Sequence, residues 1–440
     1  LDEWFINGLI LNSEFDLIEQ YTTSRPEYQK LLGYSIKENN HYLFFSNEKR
    51  NEFYCKSINI VNKSSVDKPI EIDLENEQFV ESIDYNNQFY LITINKLSSI
   101  INIYVFDGDK ISNVEQVDLS DYKFSNNRAS TLHEVLSKNA SPFQNPINIF
   151  KIDCNNPYSL DVAAKENKIY SNRGNIFITL DNNIETTKLI TIDLSNFMSN
   201  VKIFNQSRSI CNDAIIVKTN SYISNNNIYQ LSGCKQGISI SISNHKTDSL
   251  IKEFNLSKKE RKIFKNAPAI QDGGTTYITQ GSKRTMQNTK KILRKITASD
   301  IGLAVNQLEN RQELIIGGYK EIPGGLGGGG MVMTSPGSTF STPTGNVTTP
   351  PTYEYDPNLY GHSKNPRIRT IYFKAQYNNY GDQQIEINTS INVYDKIKAY
   401  SKKMERDITS ESIFKIGDYY VFGYYHISDK KYYLRKFVNW

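Results

Sequence analysis

The stretch Gln78–Leu119, QFVESIDYNNQFYLITINKLSSIINIYVFDGDKISNVEQVDL, decides the fold. Four segments in it alternate apolar and polar residues: Phe79–Ile83, Phe89–Ile94, Ile101–Phe106 and Val114–Leu119. The breaks between them are Asp84-Tyr85-Asn86-Asn87, Lys96-Leu97-Ser98-Ser99 and Asp107-Gly108-Asp109. Period-two alternation interrupted by Asn, Asp, Gly and Ser is the pattern of antiparallel strands joined by tight turns. Four such strands in 42 residues are the size of one β-propeller blade.

The same pattern recurs on both sides. His41–Ser46 pairs with Phe53–Val61, Asn175–Leu180 with Lys188–Leu194, and Ile228–Leu231 with Ile238–Ser243. Further along, Thr276–Thr279 is read with Lys291–Ile296, Thr370–Ala375 with Gln384–Val393, and Tyr419–Tyr425 with Tyr432–Val438. Taking Phe44, Leu91, Phe177, Tyr229, Tyr277, Tyr372 and Val421 as anchors, the gaps are 47, 86, 52, 48, 95 and 49 residues. Four gaps near one value mark a repeat, and the two long ones mark insertions. The expected fold is therefore all-β: a single β-propeller of seven blades, with one helix-containing insertion and one Gly/Pro-rich loop insertion. The competing arrangement is two β-domains divided near Asn139 or Gly330.

Residues 30–440 make up this propeller. The insertion at 121–167 holds a helix over Ala129–Asn139, where Leu132, Val135 and Leu136 recur at helical spacing, and a strand over Ile147–Ile152. Residues 1–29 form an N-terminal segment. Leu1–Leu11 reads as a strand that could close the ring beside the C-terminal strand, and Glu14–Tyr21 as a short helix opened by Ser13.

The second insertion, 317–367, holds 11 of the 24 glycines and 7 of the 13 prolines. From Pro323 to Tyr353 it carries no charged residue. Gly and Pro exclude a regular helix or a central strand. Yet Leu326, Met331, Val332, Met333, Phe340 and Val347 punctuate it, which is unlike a disordered linker. These six are the candidate partner-binding residues, because Met adapts to irregular apolar surfaces and Gly lets a backbone approach closely. The flanks Glu313–Ile316 and Arg369–Phe373 read as two strands of one blade, so the segment should leave the ring as a long hairpin arm.

Net charge is +4 on 51 basic and 47 acidic residues, a balance that does not call for nucleic acid. No run of 18 apolar residues could form a membrane-spanning helix. The start at Leu1, without Met, fits a processed and exported chain. Cys211 and Cys234 fall in neighbouring strands of one blade and could pair in an oxidising compartment, or stay as buried thiols. Four scattered cysteines without C-x-x-C spacing do not suggest zinc.

Catalytic signatures fail one after another. GGLGGGG does not run on into Gly-Lys-Ser/Thr, so it is no phosphate-binding loop. His41, His133, His245, His362 and His426 show no metal-binding spacing, and no G-x-S-x-G elbow supports a hydrolase triad. No motif asks for a cofactor. Asp272-Gly273-Gly274-Thr275-Thr276-Tyr277 looks like the Asp-box turn of sialidase-type propellers. Ile270 stands where that motif has Ser or Thr, and the box occurs once, so a structural turn explains it.

Richness in Asn, Lys, Ile and Tyr, and the insertion style of Gly317–Gly325 (GGYKEIPGG) and Met331–Ser338 (MVMTSPGS), resemble cell-envelope proteins of the Bacteroidota. The resemblance implies a periplasmic or envelope-associated protein. It extends to propeller-like subunits that plug or accompany an outer-membrane channel such as the type 9 secretion and gliding translocon. The expectation is thus a non-catalytic protein that binds protein partners through a propeller face and the 317–367 arm. The alternative is a carbohydrate-active propeller of glycosidase or lectin type, with a carboxylate- and aromatic-lined pocket.

Overall fold

The computed structural model describes residues 5–12, 16–26, 30–124, 131–138, 147–153, 160–212, 214–260, 268–273, 283–307, 311–321, 333–335, 339–342, 345–348, 352–353, 368–378, 385–387, 393–404 and 407–438. The chain divides into two compact units, Leu1–Asp153 with Glu166–Asn205, and Cys154–Lys165 with Gln206–Trp440.

In the first unit β1 (Phe5–Leu11) and β2 (Leu17–Ser24) form an antiparallel hairpin. The next sheet is β3 (Lys30–Lys37), β4 (Asn40–Ser46), β5 (Phe53–Asn59) and β6 (Ser64–Ile70), paired in that order. It is followed by β7 (Glu77–Tyr85), β8 (Gln88–Asn95), β9 (Ile100–Asp107) and β10 (Lys110–Asp118), the four strands expected of Gln78–Leu119. Asn86 and Asn87 both take positive φ, 51° and 62°, so the β7–β8 turn is of the primed kind that suits twisted strands. After helix α1 (Leu132–Ser137) and β11 (Phe150–Asp153), the chain contributes α2 (Leu160–Ala163) to the second unit. It returns with β12 (Asn167–Asn172), β13 (Asn175–Leu180), β14 (Thr186–Asp193) and β15 (Ser199–Asn205). β11 adds to β12 in parallel, as a fifth strand.

The second unit continues with β16 (Lys218–Ser224), β17 (Asn227–Cys234), β18 (Gly237–Asn244) and β19 (Leu250–Ser257). Next come β20 (Ala269–Gly273), β21 (Arg284–Met286), α3 (Thr289–Thr297), β22 (Asp300–Gln307) and β23 (Arg311–Glu321). The arm holds β24 (Met333–Ser335), β25 (Thr339–Thr342), β26 (Gly345–Thr348) and β27 (Thr352–Tyr353). The chain re-enters the sheet as β28 (Ile368–Asn378) and β29 (Ile385–Ile387), so the order is β21-β20-β28-β23-β22 with β29 also on β28. Helix α4 (Val393–Lys403) then leads into β30 (Ile408–Ile416), β31 (Tyr419–His426) and β32 (Lys431–Val438). Outside the arm these strands make seven sheets, and the protein is an all-β propeller of seven blades.

The blade count agrees with the sequence, but the membership differs. The segment Lys291–Ile296, expected as a strand, lies in α3, because Ile292, Leu293 and Ile296 bury one side of a helix capped by Asn288. Its expected partner, Thr276–Thr279, lies outside the described residues. The hairpins anchored on Tyr277 and Tyr372 therefore do not stand as two blades: β20 and β28 share one sheet. Residues 17–21 are strand instead of helix, paired with β1 from Phe5↔Ser24 to Leu11↔Leu17. Cys211 sits in a turn before β16, not in a strand.

Within the first unit the core is aromatic where β4, β8 and β9 meet: Phe44 stacks on Phe89 at 3.9 Å and Phe106 meets both edge-on. Each such ring contributes roughly 1.5–3 kcal/mol by burial. A larger aliphatic cluster that includes Ile92, Ile103, Ile178 and Ile190 takes in Leu132, Val135 and Leu136 of α1, so this helix of the 121–167 insertion is part of the core. A Thr131–Glu134 capping box opens that helix.

Candidate functional site

The arm leaves the sheet at a well-defined root. β23 and β28 pair over their whole length, from Arg311↔Asn378 to Glu321↔Ile368. This is the hairpin expected from Glu313–Ile316 and Arg369–Phe373, extended at both ends. Beyond it the chain forms two nested ladders, β24 with β27 and β25 with β26. Thr339, Thr342, Thr348 and Thr352 sit in these strands, β-branched residues that suit a pleated backbone between glycines and prolines. Of the six candidate partner-binding residues, Phe340 and Val347 are paired positions and Met333 pairs with Tyr353. Leu326, Met331 and Val332 lie outside the described residues.

The sheet at the arm's root carries a polar cluster that the sequence did not announce. Ile315 of β23 is opposite Lys374 of β28, and Glu313 lies two residues from Ile315 on the same face. Lys374 Nζ bridges Glu313 Oε1 at 3.2 Å and the carboxylate of Asp395 on α4. Asn306 Nδ2 donates to the other Glu313 oxygen at 3.3 Å. Burial pushes the Glu313 carboxyl up, against the Lys374 ammonium that pulls it down. One turn along α4, burial and then the charge of Lys283 push Lys398 down to about 8, opposed by Asp272 and Asp395. Asp272 in turn lies 3.5 Å from Lys283. Burial and these carboxylates also raise Tyr372.

Glu313, Asp272 and Asp395 are thus matched by Lys374, Lys283 and Lys398. A glycosidase pair would face a sugar across open space. Here Lys374 joins two of the carboxylates to each other, and the arrangement ties α4 to the sheet from which the arm springs. Asp272, the first residue of the box-like DGGTTY, is spent on Lys283; Gly274–Tyr277 lie outside the described residues. A second buried pair, Lys168 with Asp181 at 3.3 Å, belongs to the β12–β15 sheet, where Thr187 also donates to Asp181.

The described histidines stand apart, and His362 lies outside the described residues. His133 bonds Gln78 at 2.7 Å, His245 the carbonyl of Asn225 at 3.2 Å, and His426 lies 3.1 Å from Asp429. Among the described residues no group of three His, Cys, Asp or Glu is placed to hold a metal ion. Cys211 and Cys234 are joined as a disulfide, with Cα atoms 5.8 Å apart. Cys55 is a buried thiol pushed up to about 12 by its burial. No described helix is long and apolar enough to cross a membrane.

The fold defines the class: a β-propeller with an arm inserted in one blade. No protein-family model matches the chain, and no curated protein matches it in sequence. Solved structures resemble it in fold alone. The β-propeller domain of the trilobed protease from Pyrococcus furiosus is 9% identical, with 93% of each chain covered and a TM-score of 0.28. The WD40 domain of SCAP from fission yeast is 10% identical over 98% of this chain and 81% of that one, with a TM-score of 0.28. The Synechocystis apocarotenoid oxygenase is 8% identical with a TM-score of 0.29; the match spans 57% of this chain and about half of that chain, 55%. At these scores none of them carries an argument about activity.

Proposed function

We propose that the protein is a non-catalytic binding subunit of the cell envelope, which docks on or plugs a larger outer-membrane or secretion assembly through the 317–367 arm and a propeller face. The observation that carries this reading is the β23–β28 stem. Eleven paired residues per strand flank the segment that contains the uncharged Gly/Pro/Met stretch 323–353. A loop of no consequence would need no such stem, whereas a partner-binding arm gains from a rigid root because less freedom is lost on docking. The Cys211–Cys234 disulfide supports an oxidising compartment, hence export to the periplasm. The compositional resemblance to Bacteroidota envelope proteins directs the search for the partner toward the type 9 secretion and gliding translocon.

The test replaces residues 324–352 by a short Gly-Ser turn. The β-fold and melting temperature should hold, since β23 and β28 already pair, while recovery of the partner from native membranes should fall or, for a channel partner, leave the channel leaky. Undiminished partner recovery by the armless protein would refute the reading.

A further inference from the structure

The face of the β20–β28 sheet that α3 covers is electrically unlike the face that meets α4. Gln271 on β20 is opposite Arg284 on β21 and Ile371 on β28. Arg369, two residues before Ile371, shares that face, as does Lys320, which is opposite Arg369. α3 seats directly upon it: a Cβ at Gly318 would come 2.7 Å from the carbonyl oxygen of Ile296 and 2.8 Å from Ser299 Cβ. The helix thereby brings Lys295 down onto the sheet. Lys295 Nζ and Arg284 Nη2 both donate to the single oxygen of the Gln271 side chain, the arginine at 2.8 Å.

Two cations thus share one neutral acceptor, and a third adds to them. The Nε of Arg369 is buried with no hydrogen-bond partner. Burial, then the charges of Arg284, Arg369, Lys291 and Arg294, push the Lys295 ammonium down to about 8. From Arg284 to Ser299 the sequence holds five cations and no acidic residue, in a chain whose total excess is only four. Lys283, the neighbouring cation, is engaged by Asp272 on the other face. A convergence of like charges around one amide is unfavourable in isolation, and the group that would relieve it is an anion able to accept several charge-assisted hydrogen bonds at once.

We propose that Arg284, Lys295 and Arg369 form a binding site for a phosphate group. The arginine forks match the oxygen geometry of a tetrahedral oxyanion, the lysine adds a point charge, and a phosphate dianion is the charge that three cations call for. A lone carboxylate offers two oxygens and one charge, too few for this set. The phosphate could be free or carried on a lipid headgroup, which the same residues would recognise alike. This site borders the root of the arm, at the Lys320↔Arg369 pair, but uses none of the arm's apolar residues and lies on a different face from the Glu313–Lys374–Asp395 network.

The experiment titrates the whole protein with inorganic phosphate, followed by calorimetry and by phosphorus NMR line broadening at constant ionic strength. Saturable binding is expected, weakened about tenfold or more in Arg369→Gln and in Lys295→Gln. It should be unchanged in Lys290→Gln, an exposed cation on the same helix. Lys295→Arg should bind and release the same heat in buffers of different ionisation enthalpy. The wild type near pH 8 should instead take up a fraction of a proton, as phosphate restores the Lys295 ammonium among Arg284, Arg369, Lys291 and Arg294. Vesicles of phosphatidylcholine with and without phosphatidic acid distinguish the source. Retention on phosphatidic acid vesicles, lost in Arg369→Gln, assigns a lipid phosphate; phosphate binding without retention assigns a free one. The proposal is overturned if neither probe binds, if sodium chloride of equal ionic strength reproduces the effect, or if Lys290→Gln loses as much as Arg369→Gln.

Discussion

Replacing Lys374 by Met removes a charge from the polar cluster while keeping the length of the side chain. In the native protein Lys374 lies between Glu313, whose side chain is 1% exposed, and Asp395, which is 28% exposed. The variant leaves Glu313 with the Asn306 amide and without its nearest cation. Taking one partner from a buried ion pair costs about 3–5 kcal/mol, mostly the desolvation of the remaining charge. Asp395, more open to solvent than Glu313, adds less, since water screens part of its charge. For a unit of this size, each kcal/mol shifts the midpoint by roughly 2–4 °C, so melting should fall on the order of 10 °C at pH 8. The pH dependence has a definite sign. Burial already raises the folded Glu313 carboxyl above its ordinary 4.5, and loss of Lys374 raises it further. The folded state then holds the proton where the unfolded state has released it, so stability falls as pH rises through that window. Thermal unfolding at pH 5 and pH 8 should show a small penalty at the lower value and the full one at the higher. Glu313→Gln combined with Lys374→Met should recover most of the loss at pH 8. A loss below about 1 kcal/mol, or one equal at both pH values, would refute the picture of a desolvated carboxylate held by Lys374.

Opening the Cys211–Cys234 disulfide by Cys→Ser substitution should cost about 3 kcal/mol on the chain-entropy account for the 23-residue separation, read as a lower melting temperature. Non-reducing peptide mapping should find that link, and Cys55 should resist thiol reagents until the protein unfolds, because it is buried and pushed up to about 12. Gly317→Ala should destabilise by about 1–3 kcal/mol or more, since its Cβ would press on the Ile371 carbonyl and on Leu160 of α2. A Gly317→Ala protein that melts with the wild type would show that α2 does not sit on β23.

Most of the propeller was legible because apolar and polar residues alternate along its strands even where both faces are buried, as Ile and Ser do in β18, and because the strands end in turns with named chemistry. The Gln78–Leu119 strands begin and end within four residues of where alternation puts them, and Asn86-Asn87 forms the turn that its residues favour. The β22–β23 hairpin was read only in its second half. Ile301–Val305 is a continuous apolar and glycine run, IGLAV, with no polar residue at alternate positions to mark a period. Lys291–Ile296 was misread for a related reason. Six residues, KILRKI, fit a strand or a helix equally well, and only the Asn288 cap and the spacing of Ile292, Leu293 and Ile296 decide for the helix. Helix α4 was not read: the segment Gln384–Val393 was assigned to a strand, and Val393 is instead the first residue of the helix.

The places where the period fails are where polar chemistry gathers. A regular blade needs only alternation, but the β20–β23–β28 sheet must hold two helices and the root of an arm, and its strands carry Glu313, Gln271, Lys374 and Arg369 toward neighbouring elements. Charges in a buried strand lower its apparent amphipathicity, so the signal that locates a strand fades where a polar cluster is built. Charge counting along the chain recovers part of what hydropathy loses. The acid-free run from Arg284 to Ser299 stands out in a nearly neutral chain and marks that stretch as basic whether it forms a helix or a strand. No such count reveals Lys374, because its partners lie 61 and 21 residues away: Glu313 meets it through the register that pairs β23 with β28, and Asp395 from helix α4. That register also sets where the arm begins, so a change that slipped β28 by one residue would turn Lys374 away from Glu313 and shift the arm's root in the same step. The ion network and the arm are thus two consequences of one strand pairing, and the Lys374→Met measurement reads the pairing on which the arm's presentation depends.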